Sequence, residues 1–170
     1  GEFASVLEEI VGRISKKATA FYRNHFATDD TAEVSFQLFL RTKPSSSGRN
    51  HQSHRFTPPS IGIAVNVGGK PIHRPHSFFS EGKMTQLALS FRLASSLVNL
   101  HQSDLKLLVI DDLLVSLDMS NRMTVVDILL SNTFRDYQKI ILTHDKGFFS
   151  ELRRRIGSAH PSWCYLRLEA

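Results

Sequence analysis

Leu107-Leu108-Val109-Ile110 runs straight into two carboxylates, Asp111 and Asp112. A short apolar run between polar flanks suits a buried parallel strand, and ligands of open α/β sheets bind at the carboxyl ends of such strands. One carboxylate there can hold Mg²⁺, directly or through water, while its neighbour orients or deprotonates a water molecule. By itself the hexapeptide is equally a strand that ends in two solvated aspartates. Three other groups stand at telling distances from it. Ser116-Leu117-Asp118 follows within a few residues, and Thr143-His144-Asp145 ends an apolar run about 30 residues later. About 30 residues earlier, Phe79-Ser80-Glu81-Gly82-Lys83 opens a helical pattern with Gln86, Ala88, Leu89 and Leu93. A serine hydroxyl, a glycine backbone and a helix N-terminus together make an anion site, although Ser80 is also what a plain N-cap looks like.

These groups need a scaffold that brings strand ends and a helix start to one place. Val6, Leu7, Ile10, Val11, Ile14, Ala18, Phe21 and Tyr22 recur at helical spacing, with charged residues largely between them. That spacing predicts one amphipathic helix over 5–26. Over 32–41 the period falls to two, with Val34, Phe36, Leu38 and Leu40 on one side, which predicts a strand. Ile61, Ile63, Val65 and Val67 predict a second strand, stopped by a hairpin turn at Gly68-Gly69. Between these strands, residues 42–60 carry turn formers and little apolar content, so a mobile loop is expected. Downstream, the pattern predicts a helix from Glu81 to Leu100 capped by Ser80, a strand over 105–110, and a helix over 120–134. A strand over 139–142, a helix over 146–155 and a last strand over 164–168 follow. Strand–helix–strand–helix in this order points to an α/β fold, a parallel sheet core with flanking helices, plus a small antiparallel β element near the N-terminus. Gly1-Glu2-Phe3 looks like a cloning remnant.

Composition bounds the class. The 170 residues suit one domain or a large fragment of one, and 41% apolar with 22% charged content argues against wholesale disorder. Lys and Arg number 21 against 16 Asp and Glu, a net charge of +5, which is consistent with a polyanionic partner such as DNA without specifying one. A single cysteine, Cys164, excludes an intrachain disulfide framework and a multi-cysteine zinc site, and fits a reducing, cytoplasmic setting. No apolar run reaches the roughly 20 residues needed to span a bilayer, since Arg92 interrupts the best candidate, so no membrane partner is expected. The pairs His51/His54 and His73/His76 lie in loop-like, proline-bearing sequence without neighbouring carboxylates or cysteine, and no metal site is expected there. Arg153-Arg154-Arg155 ends a helix, where cations complement the macrodipole; contact with DNA phosphates is the alternative. Lys43, Arg49, Arg55, Lys70 and Arg74 read as a solvated face. Cys164, between Trp163 and Tyr165, reads as core. Asp29-Asp30 reads as a turn or helix cap.

The serine-x-glycine group, the double aspartate, Ser-Leu-Asp and Thr-His are each weak signals, but in this order and spacing they resemble the ATP-binding-cassette type of ATPase. Phe79-Ser80-Glu81-Gly82-Lys83 followed by Leu87-Ala88-Leu89-Ser90-Phe91-Arg92-Leu93-Ala94 looks most like the branch holding the structural-maintenance-of-chromosomes (SMC) proteins, RecF and RecN. The transporter branch is a poorer match, because Glu81 and Lys83 break its usual Leu-Ser-Gly-Gly-Gln. The resemblance covers residues 60–168. It implies that Ser80, Gly82 and Lys83 form the signature that takes the γ-phosphate of ATP held by a second head. It further implies Asp111 as the Walker B ligand of Mg²⁺, Asp112 as the group that polarises the attacking water, Asp118 as the D-loop aspartate at the dimer interface, and His144 as the switch histidine.

Three departures qualify it. Asp112 stands where the family usually has glutamate and reaches about 1.5 Å less far, a displacement that matters at a catalytic group. Leu113 replaces the usual proline. Gly-x-x-x-x-Gly-Lys-[Ser/Thr] occurs nowhere in the chain; Gly68-Gly69-Lys70 is followed by Pro71 and reads as a turn. The resemblance therefore implies a split head. Residues 31–170 would be its C-terminal lobe and residues 4–30 the N-terminal helix, an ordinary packing helix or the returning end of a coiled coil or other insertion. An N-terminal Walker A lobe would be the partner. The expected function is ATP hydrolysis between two heads in DNA repair, chromosome maintenance or anti-phage defence, with the chain alone inactive. A degenerate, nucleotide-gated DNA-binding or scaffold module is the alternative.

Overall fold

The computed structural model describes residues 2–28, 33–41, 60–112, 114–157 and 160–167. The expected loop over 42–60, with His51, His54, Lys43, Arg49 and Arg55, lies outside the described residues, as do Asp29, Asp30 and Leu113.

The chain opens with α1 (Glu2–His25), one continuous amphipathic helix that already includes Glu2 and Phe3. Its inner stripe, Val11, Ile14, Ala18, Phe21 and Tyr22, is buried, as the i, i+3, i+4 spacing requires. The stripe packs on α3 (Glu81–Asn99) and on β1 (Val34–Arg41). β1 pairs antiparallel with β2 (Ser60–Val67), which turns at Gly68-Gly69 into the short β3 (Lys70–Ile72). Gly68 has φ 55°, a backbone sign that favours glycine; the one close atom a Cβ would meet, Glu33 Oε2 at 2.7 Å, ends a flexible exposed side chain that can swing away. β1 is an edge strand, and α1 satisfies that edge: Phe36 N–H donates to Thr19 Oγ1 (2.9 Å), Leu38 N–H to Ser15 Oγ (2.8 Å), and Arg23 Nε donates to Val34 O (3.0 Å). An open row of N–H groups is a template for unwanted pairing; here helix hydroxyls close it.

The second half runs α2 (Pro75–Phe78), α3, β4 (Leu107–Asp111), α4 (Met119–Leu130), a 3₁₀ turn over Asn132–Phe134, β5 (Gln138–Leu142) and α5 (Lys146–Ile156). β4 and β5 pair in parallel with Asp111 opposite Leu142. Parallel neighbours need a crossover, and α4 supplies it. The helix expected over 120–134 is two elements, because Ser131 takes an extended conformation at the end of α4 and the chain must turn back toward the sheet. Leu108 and Ile110 face a core shared with α1, α3, α4 and α5, so both halves close on one cluster. The last expected strand is absent: residues 163–167 are irregular, and Cys164 is exposed rather than core. The alternation of that tail is real, but among the described residues it meets no strand to pair with.

Candidate functional site

The carboxyl ends of β4 and β5, the loop that leaves β4, and the first turns of α3 meet at one end of the parallel pair. Asp111 closes β4, exposed, and no hydrogen bond among the described residues engages its carboxylate. The sheet ladder continues one residue further, Asp112 N–H donating to Leu142 O at 3.2 Å. The chain then leaves through φ 44° at Asp112, the single described non-glycine residue with positive φ. Aspartate is among the few side chains that tolerate this region, and strain of this kind gathers at functional sites. The turn aims the Asp112 carboxylate at the end of β5, where Oδ2 lies 2.6 Å from His144 Nδ1 and Oδ1 accepts from His144 N–H at 3.4 Å.

Ser80 is the N-cap of α3, its Oγ accepting from Lys83 N–H at 3.3 Å. Gly82 faces the loop after β4: a Cβ there would come 3.7 Å from Ser116 O, an ordinary contact. Thr85 Oγ1 and Ser116 Oγ share a hydrogen bond one turn further on. The Lys83 ammonium donates to Thr28 Oγ1 at 2.7 Å, at the chain exit of α1. Asp118 caps α4, accepting from Asn121 N–H and Asn121 Nδ2, both at 2.9 Å; Asn121 Oδ1 accepts from Gln86 Nε2 at 2.9 Å. Through Gln86 and Asn121 the helix that carries Ser80 is therefore linked to the helix capped by Asp118. The seven residues singled out from sequence, Ser80, Gly82, Lys83, Asp111, Asp112, Asp118 and His144, lie on three adjoining segments at one end of the fold. His73 and His76 are exposed, and no group of three or more metal-ligating side chains occurs among the described residues.

Two residues that spacing did not single out hold these segments. Arg122, in the first turn of α4, donates from Nε to Leu117 O (2.7 Å), from Nη2 to Val115 O (2.9 Å) and from Nη1 to Asp145 Oδ2. Asp145 caps α5, accepting from Gly147 N–H (2.8 Å) and Phe148 N–H (3.0 Å). An Asp just before Lys146-Gly147-Phe148 is a legible cap; nothing in the one-dimensional pattern says that Arg122 points back at two carbonyls. The Phe148 N–H, with the Arg122 guanidinium beside it, holds the Asp145 carboxyl below its ordinary range, and the Asn121 N–H does the same for Asp118.

A depressed folded value stabilises the fold above the unfolded carboxylate pKa near 4, and this contribution is lost as pH falls through the folded value. The melting temperature of the wild type is therefore expected to fall more steeply than that of Asp145→Asn between roughly pH 5 and pH 3. Parallel curves for the two proteins would show that Asp145 is not the group responsible.

Asp111 offers one exposed carboxylate, a hard oxygen donor of the kind that binds Mg²⁺ together with water and substrate phosphates rather than in an all-protein cage.

No family model matches the chain, and no curated protein matches it. Solved structures do. One described for ATP-driven dimerisation and DNA-stimulated activation of SMC ATPases superposes with a TM-score of 0.52 at 18% identity, over 86% of this chain and 76% of that one. An Smc head bound to the C-terminal winged-helix domain of ScpA gives 0.54 at 19% identity, over 86% of this chain and 39% of that one. An Smc head with coiled coil and joint from Pyrococcus yayanosii gives 0.51 at 19% identity, over 87% of this chain and 24% of that one. This chain thus spans well under half the length of the last two. The mixed fold, with its parallel pair, antiparallel sheet and flanking helices, is similar to that of these Smc head structures.

Proposed function

We propose that this chain is the C-terminal part of an SMC-like ATPase head, which binds and hydrolyses ATP between two heads once an N-terminal lobe supplies the phosphate loop. The observation that carries the reading is the convergence of Asp111, the Asp112–His144 pair, Asp118 and the Ser80–Gly82 helix start at one end of the sheet.

Two further features support an incomplete half. The cleft beside the strand ends, lined by the apolar Leu114, Leu142 and Phe148 as well as by Asp112, Arg122 and Thr143, has a cavity volume of about 10 Å³, far below the roughly 300–1,000 Å³ of ligand pockets; the nucleotide needs walls from elsewhere. Parallel sheets are normally covered on both faces, yet Ile140 and Leu142 are 39% and 46% exposed on the side of β5 away from the core. An N-terminal α/β lobe is the proposed cover.

In this reading Asp111 holds Mg²⁺ on the ATP, Asp112 orients and polarises the attacking water, and His144 senses the γ-phosphate while hydrogen-bonded to Asp112. Ser80, Gly82 and Lys83, at the positive end of the α3 dipole, take the γ-phosphate of the ATP held by the second head, and Asp118 organises the shared interface. α1, clipped along the edge of β1, is the returning end of an arm, so that head closure is passed to it through the sheet. The net charge of +5 is consistent with a polyanionic partner; in this reading that partner is DNA, in a cytoplasmic role in DNA repair, chromosome maintenance or phage defence.

The test compares the 170-residue chain, a complete head and its Ser80→Arg variant. The chain alone is expected to show no turnover. The complete head is expected to turn over ATP with a rate per head that rises with head concentration. Ser80→Arg is expected to keep ATP binding by a single head but to lose turnover at least about tenfold, because its site acts across the dimer. Turnover by the chain alone, or a Ser80→Arg head as active as wild type, would sink the reading. The rival is a nucleotide-gated DNA-binding or scaffold module, favoured by a carboxylate shorter than glutamate and already engaged by His144. A complete head that binds ATP but never hydrolyses it, with or without DNA, would establish that rival.

A further inference from the structure

We propose that Arg122 is a positioning residue that fixes the Asp112–His144 pair through the loop after β4. The hydrogen bonds form a closed circuit. Asp112 O accepts from Val115 N–H (3.2 Å), and Val115 O accepts from Arg122 Nη2 (2.9 Å). Arg122 Nη1 donates to Asp145 Oδ2, Asp145 is the chain neighbour of His144, and His144 Nδ1 returns to Asp112 Oδ2 at 2.6 Å.

The loop is also tied to α3 by the Thr85–Ser116 hydrogen bond and anchored by the buried Leu114 and Leu117, but none of these makes a hydrogen bond to the start of α5. Apart from Arg122 the backbone over 114–117 is held by two short turns, Val115 N–H to Asp112 O and Leu117 N–H to Leu114 O. The Arg122 guanidinium joins these turns to the start of α5, and its side chain, 12% exposed, is held in place over the Phe148 ring at 5.9 Å. A planar fork with donors on three sides serves three acceptors at once; a lysine ammonium, a point charge on a flexible stem, does not reproduce that geometry. The β4–β5 ladder up to Asp112 N–H and Leu142 O sets the strands side by side; the Arg122 side chain adds the link between the loop after β4 and Asp145 beyond the end of β5. The same side chain holds the carbonyls on either side of Ser116, Val115 O and Leu117 O, while Thr85 holds the Ser116 hydroxyl. The circuit itself is independent of what the site does; its consequence for turnover rests on the ATPase reading above.

The test is therefore double. Asp112 Oδ2 beside Nδ1 favours the Nδ1–H tautomer of neutral His144. Long-range ¹⁵N–¹H NMR of the 170-residue chain, at a pH where the ring is neutral, reads the share of that tautomer. Wild type is expected to be predominantly Nδ1–H, and Arg122→Ala to lose that preference. Arg122→Lys is expected to restore the fold's melting temperature more than the tautomer. If Arg122→Ala does not fold, Asp145→Asn opens the same circuit from the other side and is read instead. In a complete head Arg122→Ala is expected to lower kcat about 10–100-fold with KM for ATP little changed, the signature of lost positioning rather than lost binding. A folded Arg122→Ala, or Asp145→Asn in its place, with the wild-type tautomer share overturns the proposal. Unchanged tautomers combined with lower stability would mean that Arg122 is only a fold-holding side chain. A wild-type head that never hydrolyses ATP refutes the ATPase reading alone, and the tautomer result still decides the positioning role.

Discussion

Asp112→Asn in a complete head is expected to cut steady-state ATP turnover by about 10²–10⁴-fold, the range over which a positioned acid or base contributes, while ATP binding and the fold persist. Asparagine is a clean substitution here for two reasons. It tolerates the left-handed backbone at φ 44° as readily as aspartate, and its amide oxygen can still accept from His144 Nδ1–H. What it removes is the negative charge that the proposed function places next to the attacking water. Asp112→Glu is the instructive companion: it restores the side-chain length usual in ATPases of this kind, but a longer side chain pays more strain in that conformation, so a gain over wild type is not expected. The measurement is phosphate release from the complete head, with nucleotide affinity measured separately. If Asp112→Asn hydrolyses ATP at the wild-type rate, Asp112 is not the group that activates water, and the 2.6 Å contact with His144 serves only to orient the ring.

The second large effect is on stability. Phe134→Ala is expected to destabilise the chain by about 3–5 kcal/mol, the usual cost of truncating a buried aromatic, a large part of the roughly 5–15 kcal/mol that holds a domain folded. Phe134 has no exposed surface. Its ring meets Phe21 of α1 edge-on at 6.2 Å and Tyr137 at 5.2 Å, so it lies where the N-terminal helix is fastened to the turn that leads into β5. The cavity would open at that joint, far from Asp112. Chemical denaturation monitored by circular dichroism reads the effect. A loss below about 1 kcal/mol would mean that the joint collapses around the gap, or that α1 is not packed as described.

The two effects separate what holds the fold from what the site does, and the same division runs through what was legible in the chain. Period-two and period-3.6 patterns depend on nearest neighbours along the backbone, so α1, β1, β2, α3, β4, β5 and α5 stood out, as did the cap Ser80, whose side chain bonds within three residues; the cap role of Asp118 was not read from the sequence. The four candidate groups stood out for a related reason: residue type and order are read along the chain, whereas their chemical roles remain proposals. The tail over 163–167 misled because alternation signals a strand only where a partner edge exists, and partner edges are decided by tertiary structure. The break at Ser131 was hidden for the same reason, since it is the sheet that makes the chain turn back.

What the sequence by itself determined was the class, α/β with an antiparallel element, and the residues to test. Only the tertiary structure decided that Asp112 turns through a left-handed backbone onto His144, that Lys83 reaches Thr28 at the exit of α1, and that Arg122 spans two loops. Each of these is a contact between residues more than three positions apart, formed by side chains whose direction is set by packing; a pattern read along one dimension carries no record of where a side chain points.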